Sequence, residues 1–237
     1  MRLLATLFTF LALVVSSVRA EETAEPAFSQ LFAERNARTL AVLEAEFPTD
    51  HKALMIRIGA IERGGQSPML MLSGSFDAIG AIRRKYANRL QYAPPQALAN
   101  LLLAAAAFHE AVLAGEGPGG CGVFAQNGTG ALFQLSRSDA YARQIDLQSA
   151  MYFEAVAGAI EQPEYYGDPR QTDFAALLTV MGAAGVPQSY AATIARGQPS
   201  DPDLCPALAT MFKTAAVLDT PEGLRVRADL AKNLAGY

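Results

Sequence analysis

Apolar residues recur along most of this chain at intervals of three and four positions, which is the spacing of one face of an α-helix. Prolines, glycines and helix-capping residues separate the apolar stripes and predict about eight or nine helices. No segment alternates apolar and polar residues over the length of a strand. The stripes include Phe28, Leu31, Phe32, Leu40 and Leu43; Leu54 and Ile58; Ile79, Ile82, Tyr86 and Leu90; Tyr141, Ile145 and Tyr152; Leu177 and Met181; and Leu204, Leu208 and Phe212.

One predicted helix, residues 95–114, is apolar on every side for several turns. A helix without a polar face belongs in a protein interior. We therefore predict an all-α fold: a single globular domain of about eight to nine helices packed around this buried helix. A division into two domains near residues 163–169 is the alternative, but it needs two cores, and one core is simpler.

The glycine-rich run 115–122 predicts that the central helix ends at Ala114, because glycine and proline are poorly tolerated inside helices. Beyond this run, Asn127-Gly128 lies between two short apolar segments. Asn-Gly between apolar flanks is typical of a hairpin turn. We predict a loop that can hold a small hairpin near residues 123–133.

Four cations, Arg83, Arg84, Lys85 and Arg89, lie on a helix predicted over residues 76–92. They could bind an anionic ligand or a lipid headgroup. A solvated helix face is the favoured interpretation, because such clusters are common on protein surfaces.

The N-terminus has the pattern of a secretory signal: Arg2 precedes an apolar run, and Val18-Arg19-Ala20 provides small residues before a cleavage site. We predict a signal peptide of residues 1–20, cleaved after Ala20, and a single helical domain of residues 21–237 in the periplasm or outside the cell. The alternative, an uncleaved anchor, is disfavoured because the uncharged run is shorter than the roughly 20 residues that span a bilayer. We expect no integral membrane span after signal removal.

Composition narrows the possible partners. The formal net charge is −4, and loss of the two arginines in the signal makes it −6. A polyanion such as nucleic acid is therefore not attracted by the overall charge, and nucleic-acid binding is disfavoured. With 51% hydrophobic and 18% charged residues, the chain is typical of a globular protein.

The chain has two cysteines, Cys121 and Cys205. In an exported protein, an even number of cysteines predicts a disulfide more often than free thiols. Two cysteines and two histidines without close spacing do not indicate a metal site, and no motif indicates a cofactor.

Glu110 is the one candidate for catalysis. It lies near the end of the central helix and is followed, after the glycine-rich run, by the segment Thr129-Gly130-Ala131-Leu132-Phe133-Gln134-Leu135-Ser136. This arrangement resembles the lysozyme-like lytic transglycosylases. The resemblance implies that Glu110 acts as general acid on a peptidoglycan glycan and that the later segment, including Gln134, lines the sugar cleft. Tyr165 and Tyr166 are further candidates for binding.

The alternative interpretation of the same residues is structural, and it is favoured. His109 shares a helix face with apolar residues and is expected in the core, whereas Glu110 can reach water at the helix end. Our leading hypothesis is an exported protein that acts as a binding or scaffold module in the bacterial cell envelope, without turnover. Its partner is unknown, and a cell-envelope protein or a glycan is a candidate. The second hypothesis is the glycan-cleaving enzyme that uses Glu110.

Overall fold

A computed structural model describes residues 27–134 and 138–236 of the 237-residue chain. These residues form eleven α-helices and three short 3₁₀ helices, and they contain no β-strand. The all-α prediction is confirmed. The predicted signal peptide lies outside the described residues. The α-helices are α1 (Phe28–Arg35), α2 (Ala37–Glu46), α3 (Pro48–Arg63), α4 (Pro68–Tyr86), α5 (Pro95–Asn127), α6 (Thr129–Gln134), α7 (Ala142–Glu161), α8 (Gln171–Ala183), α9 (Ser189–Arg196), α10 (Leu204–Val217) and α11 (Pro221–Asn233). The 3₁₀ helices are Ala87–Tyr92, Ser138–Tyr141 and Leu234–Gly236.

The number of helices exceeds the predicted eight or nine for two local reasons. A single helix predicted from residue 28 onward is interrupted at Asn36, whose φ of −117° and ψ of 28° separate α1 from α2. In addition, α6 occupies part of the segment in which a hairpin was predicted.

Helix α5 is the centre of the fold. It packs most extensively against α10 and α7, and also against α11. Leu98, Leu101, Leu102, Ala105 and Ala106 are almost fully buried. By length and composition alone, α5 is apolar enough to cross a membrane, since its best window has a mean hydropathy of 1.7. Because 56% of that window is buried within the protein, α5 serves here as a core helix.

The prediction that the central helix ends near residue 114 is corrected by the structure. The chain breaks at Gly117, which has a φ of 70°, and a second helical segment begins at Pro118 and continues to Asn127. Glycine adopts this left-handed φ without strain, and proline is well suited to a first helical position. The glycine-rich run therefore makes one kink within α5.

The predicted hairpin near residues 123–133 is wrong. Asn127-Gly128 ends α5: Gly128 has a φ of 58°, its N–H donates to the carbonyl of Phe124 over 2.7 Å, and α6 follows. Glycine with a positive φ commonly terminates helices as well as forming hairpin turns. Cys121 and Phe124, three positions apart on one helix face, are both fully buried, which is the spacing of a helix rather than of a strand.

The two cysteines join α5 to α10. Their Sγ atoms lie 2.01 Å apart, at the bonding distance of a disulfide, as the sequence predicts. The backbone also makes a close approach nearby, because a Cβ atom placed on Gly122 would lie 1.8 Å from the carbonyl oxygen of Pro199. The second segment of α5 is thus held by both a covalent bond and tight packing.

The expectation of a solvated cationic face on α4 is wrong for Arg83. This side chain is only 4% exposed, and its guanidinium lies 4.9 Å from the centre of the Tyr152 ring. It donates to the carbonyl of Leu234, and burial lowers its pKa to about 10. Arg84, Lys85 and Arg89 are exposed, as expected. The four cations therefore do not form one anion-binding cluster.

Candidate functional site

An apolar cleft of about 290 Å³ lies between α1, α4 and the start of α7. Nine of its twelve lining residues are apolar, and the other three are Arg35, Asn36 and Asp139. The apolar lining consists of Phe28, Leu31, Phe32, Pro68, Met69, Leu72, Phe76, Ala142 and Ile145. A concave, mostly apolar surface with a few polar groups is the usual form of a small-molecule site.

Helix α1 contributes one wall of the cleft through a regular stripe. Phe28, Leu31, Phe32 and Arg35 occur at positions i, i+3, i+4 and i+7, which place them on one helix face. The helix ends immediately afterwards, where the side-chain Nδ2 of Asn36 donates to the carbonyl of Phe32 over 2.9 Å. Arg35 therefore lies in the last turn of α1, at the end of the apolar stripe.

A buried carboxylate on α7 fixes the bend between α1 and α2. Asp146 is 7% exposed and accepts hydrogen bonds from the backbone N–H groups of Arg38 and Thr39, at 3.2 and 2.9 Å. The hydroxyl of Thr39 donates to the same carboxylate over 2.8 Å. These backbone donors belong to the first turn of α2, where an anion is favourable. Asp146 thus attaches α2 to α7 and holds the wall of the cleft in place.

The opposite wall is the first half of α4. The hydroxyl of Ser67 caps this helix by accepting from the N–H of Leu70, and Pro68 takes the first helical position. Met69 is 51% exposed at the rim. A methionine side chain is flexible and adapts to ligands of different shape.

The charged groups of the cleft form a pair. Nη1 of Arg35 donates to Oδ1 of Asp139 over 2.7 Å, and the two side chains are 36% and 68% exposed. Asp139 belongs to the 3₁₀ helix Ser138–Tyr141, so the pair joins α1 to the segment that precedes α7. It places a cation and an anion beside an otherwise apolar surface.

Two more open depressions lie elsewhere on the surface. One lies between α8 and α9 and includes Leu178 and Tyr190; the other lies beside α5, α10 and α11 and includes Leu103 and Arg227. The buried Arg227 donates to the carbonyls of Ala215 and Pro95 and to Asp219. These bonds join three elements, so the role of Arg227 is structural.

The catalytic candidate Glu110 lies on the surface between α5 and α10. Its side chain is 50% exposed and forms an ion pair with Lys213, and it lines neither the apolar cleft nor the two depressions. A general acid must lie within reach of the bound substrate, so a position outside these three depressions does not favour that role.

The candidate binding residues Tyr165 and Tyr166 lie at the other end of α5. The Tyr165 ring lies 5.4 Å from that of Tyr92, and the hydroxyl of Tyr166 donates to the carbonyl of Ala93 over 2.8 Å. Burial and the neighbouring Glu164 raise the pKa of Tyr166. From the start of α5 to Glu110 the helix rises by about 22 Å. The structure therefore does not bring these tyrosines to Glu110.

The third binding candidate, Gln134, is the last residue of α6. Its side chain lies outside the part of the chain that the structure describes. The backbone of α6 packs against α5, and Ala131 and Leu132 are fully buried. These two residues of the predicted sugar-binding segment therefore contribute to the core.

His109 is a core residue, as predicted from its helix face. It is 1% exposed, and its Nδ1 lies 2.9 Å from the carbonyl oxygen of Ala105, which can only accept, so Nδ1 carries the proton. The rings of Phe124 and Phe212 lie 4.9 and 5.5 Å away. Burial lowers the pKa of His109 to about 4, so the imidazole is neutral near neutral pH.

Comparisons with known proteins identify no relative: no family model, curated protein or solved structure matches this chain. Within the described residues, no group of three or more His, Cys, Asp and Glu side chains is placed to hold a metal ion.

The helix predicted over residues 76–92 begins at Pro68 in the structure, so the prediction lacked most of the α4 wall of the cleft. The signal was present: Ser67-Pro68 is a good helix start, and apolar residues follow it.

Proposed function

We propose that this protein is an exported binding module that holds a small apolar ligand in the cleft between α1, α4 and α7. The observation that carries the proposal is the lining, in which nine of twelve residues are apolar around a volume of about 290 Å³. This volume is close to the lower end of the range for small-molecule sites, roughly 300 Å³.

The size of the cleft limits the ligand. One water molecule occupies about 30 Å³ in the liquid, so the cleft has room for about ten non-hydrogen atoms of similar size. Since the cleft is open on one side, a longer ligand can extend into solvent. A single aliphatic chain fits these dimensions better than a folded peptide or a sugar polymer.

The polar groups of the cleft favour binding over turnover. Its two charged side chains, Arg35 and Asp139, are paired with each other. Catalysis needs an acid, base or nucleophile placed against the reacting atoms, whereas binding needs only apolar surface and a group that orients the ligand.

Export is supported by the paired cysteines and by the charge and apolar pattern of residues 1–20. Disulfides persist in oxidising compartments such as the bacterial periplasm. We place the mature protein, residues 21–237, in the periplasm or outside the cell. Intact-mass measurement of exported protein tests this, and a mature chain that still begins at Met1 would contradict it.

The binding test uses mature protein and the linear alcohols from hexanol to hexadecanol, measured by calorimetry. Each added methylene buried in the cleft contributes about 0.8 kcal/mol, so affinity should rise with chain length and level off once about ten atoms fill the cleft. If no alcohol binds, or affinity keeps rising through the series, the cleft is not the site.

A variant pair locates the binding. Ala142→Phe adds a ring at a partly buried lining position, whereas Ala175→Phe adds the same ring at an exposed position of α8 outside the cleft. We expect the first variant to lose about tenfold or more in decanol affinity, since the added ring removes a large part of the apolar contact. The second variant should bind as the parent does. Equal affinities for the two variants would place the ligand elsewhere.

A further inference from the structure

Resting on that proposed function, we propose that the ligand is a single-chain amphiphile with an oxyanion head and that Arg35 binds this head at the end of the cleft. The head group is a carboxylate or a phosphate, and the aliphatic chain lies along the apolar stripe of α1. This inference follows from the position, exposure and unused hydrogen-bonding capacity of Arg35.

Arg35 is placed to receive a head group because it continues the stripe of α1. It follows Phe32 by three positions and Phe28 by seven, so its side chain lies at one end of the row that lines the cleft. A chain bound against Phe28, Leu31 and Phe32 would bring its polar end to the guanidinium. Arg35 is also the one cation among the lining residues.

The guanidinium retains donors for such a head. In the described part of the chain, its one side-chain hydrogen bond runs from Nη1 to Asp139. A guanidinium carries five N–H donors in a planar fork. A carboxylate or phosphate can accept two of them in parallel, which is stronger and more directional than a single bond.

The opposite assignment, a cationic head on Asp139, is less favourable for a reason of solvation. Asp139 is 68% exposed, so water already satisfies much of its carboxylate, whereas Arg35 is 36% exposed beside apolar groups. A guanidinium is also more weakly hydrated than an ammonium ion, so it gives up less hydration free energy when it binds an anion. An ion pair this exposed to solvent contributes little to stability, so a ligand anion can displace Asp139 at little cost.

The same geometry makes Asp139 a competitor for the guanidinium. Its carboxylate lies 2.7 Å from Nη1, where it repels a second anion that approaches the fork. Removal of this charge should therefore strengthen the binding of an anion, and removal of the Arg35 charge should weaken it. A cationic ligand would show the reverse pattern.

The experiment measures binding of decanoate, decyl phosphate, decanol and decylamine to the mature protein by calorimetry at neutral pH. We expect both anions to bind more tightly than decanol, by about tenfold, because a hydrogen bond between two charged groups is stronger than one to a neutral hydroxyl. Decylamine should bind more weakly than decanol. The ratio of decanoate to decyl phosphate affinity distinguishes the two oxyanion heads.

Three variants test the residue assignment. Arg35→Gln should reduce decanoate affinity about tenfold and leave decanol affinity within about twofold. Asp139→Asn should raise decanoate affinity severalfold. Arg57→Gln on α3 removes the same charge at an exposed position outside the cleft and should leave both affinities unchanged. If Arg35→Gln does not fold by circular dichroism, Arg35→Lys retains the charge without the fork and should give an intermediate loss.

The outcomes separate this inference from the proposed function. If decanol binds and decanoate binds no more tightly, in the parent and in Arg35→Gln alike, the head-group assignment is overturned while the apolar site stands. If decylamine binds most tightly of the four and Asp139→Asn abolishes its binding, the assignment is also overturned, because the ligand head is then a cation bound by Asp139. If none of the four compounds binds, the proposed function itself fails.

Discussion

Removal of the Cys121–Cys205 disulfide should destabilise the protein by about 4.5 kcal/mol. The bond closes a loop with a sequence separation of 84 residues. In the chain-entropy model, a loop of this length restricts the unfolded chain by that amount at room temperature. Both cysteines are buried, at 0% and 2% exposure, so replacement by alanine also leaves a small cavity in the interface between α5 and α10.

The perturbation is the double variant Cys121→Ala/Cys205→Ala, which leaves no unpaired thiol. The measurement is urea unfolding of parent and variant, each with and without reductant. With a urea dependence of about 2 kcal/mol per molar, the loss should lower the unfolding midpoint by about 2 M. Reductant should produce a similar decrease in the parent and none in the variant. The cleft lies on other helices, so decanol binding by the folded variant should be retained.

Two results would refute this reasoning. Two titratable thiols in denatured, non-reduced protein from an oxidising compartment would show that the bond does not form. Equal midpoints for parent and variant would show that the packing of α5 on α10, without the cross-link, sets the stability.

Three further predictions concern the core and the surface of α5. Gly122→Ala should destabilise the folded protein by about 1–3 kcal/mol, because the new Cβ would overlap the Pro199 carbonyl. Gly119→Ala, which has open space around it, should stabilise the protein by about 0.5–1 kcal/mol. Equal shifts of the melting temperature for the two variants would contradict the close approach at Gly122. Burial lowers the pKa of His109 from 6.5 to about 4, so between these pH values the unfolded state binds a proton that the folded state does not. The free energy of unfolding should therefore fall as the pH drops from 6.5 to 4, by about 3 kcal/mol in total. Urea unfolding of His109→Asn at the same pH values should not show this loss. The parent protein should release no glycan fragments from peptidoglycan, and release by the parent that Glu110→Gln abolishes would instead support the cleavage hypothesis.

Periodicity alone predicted most of the fold because an apolar stripe has a direct physical meaning. A stripe at helical spacing must be covered, so the stripes of α2, α7 and α10 identify core helices, and the lack of a broad polar face identifies α5. Their ends were less predictable. Gly117 and Pro118 are typical of a helix terminus. The same residues also permit a kink, after which a new helical segment starts at once.

Arg83 shows two sequence signals in conflict. It follows Ile79 by four positions and precedes Tyr86 by three, so its helical phase places it on the buried stripe. Its charge favours the surface, and the prediction of an exposed side chain followed the charge. In the fold, the guanidinium lies over the face of the Tyr152 ring and donates to the carbonyl of Leu234. Such partners come from distant segments, which no local pattern reveals.

The start of α4 could be predicted from Ser67-Pro68, but the cleft itself could not, for a related reason. Its walls come from residues 28–36, 68–76 and 139–145, which are separated by long stretches of chain. The structure confirms that Phe28, Leu31 and Phe32 share one helix face, on which Phe32 is buried and the other two are partly buried. An apolar stripe predicts that a surface is turned inward, but whether the helices that meet there fill the space depends on their packing angles and on the size of facing side chains.

The position of Glu110 follows from the polar residues of α5 rather than from its apolar ones. Gln96, Asn100, Leu103, Ala107 and Glu110 recur at spacings of four and three, and all five are exposed. Alanine conceals this stripe because it is compatible with either face of a helix, so α5 reads as apolar on every side although one narrow face meets solvent. The three polar residues mark that face in the sequence. A carboxylate on it is hydrated and within reach of Lys213 on the neighbouring helix, which is the environment of a surface ion pair. The helical phase that makes His109 a core residue therefore also excludes Glu110 from the apolar interior and leaves its carboxylate on the surface that α5 shares with α10.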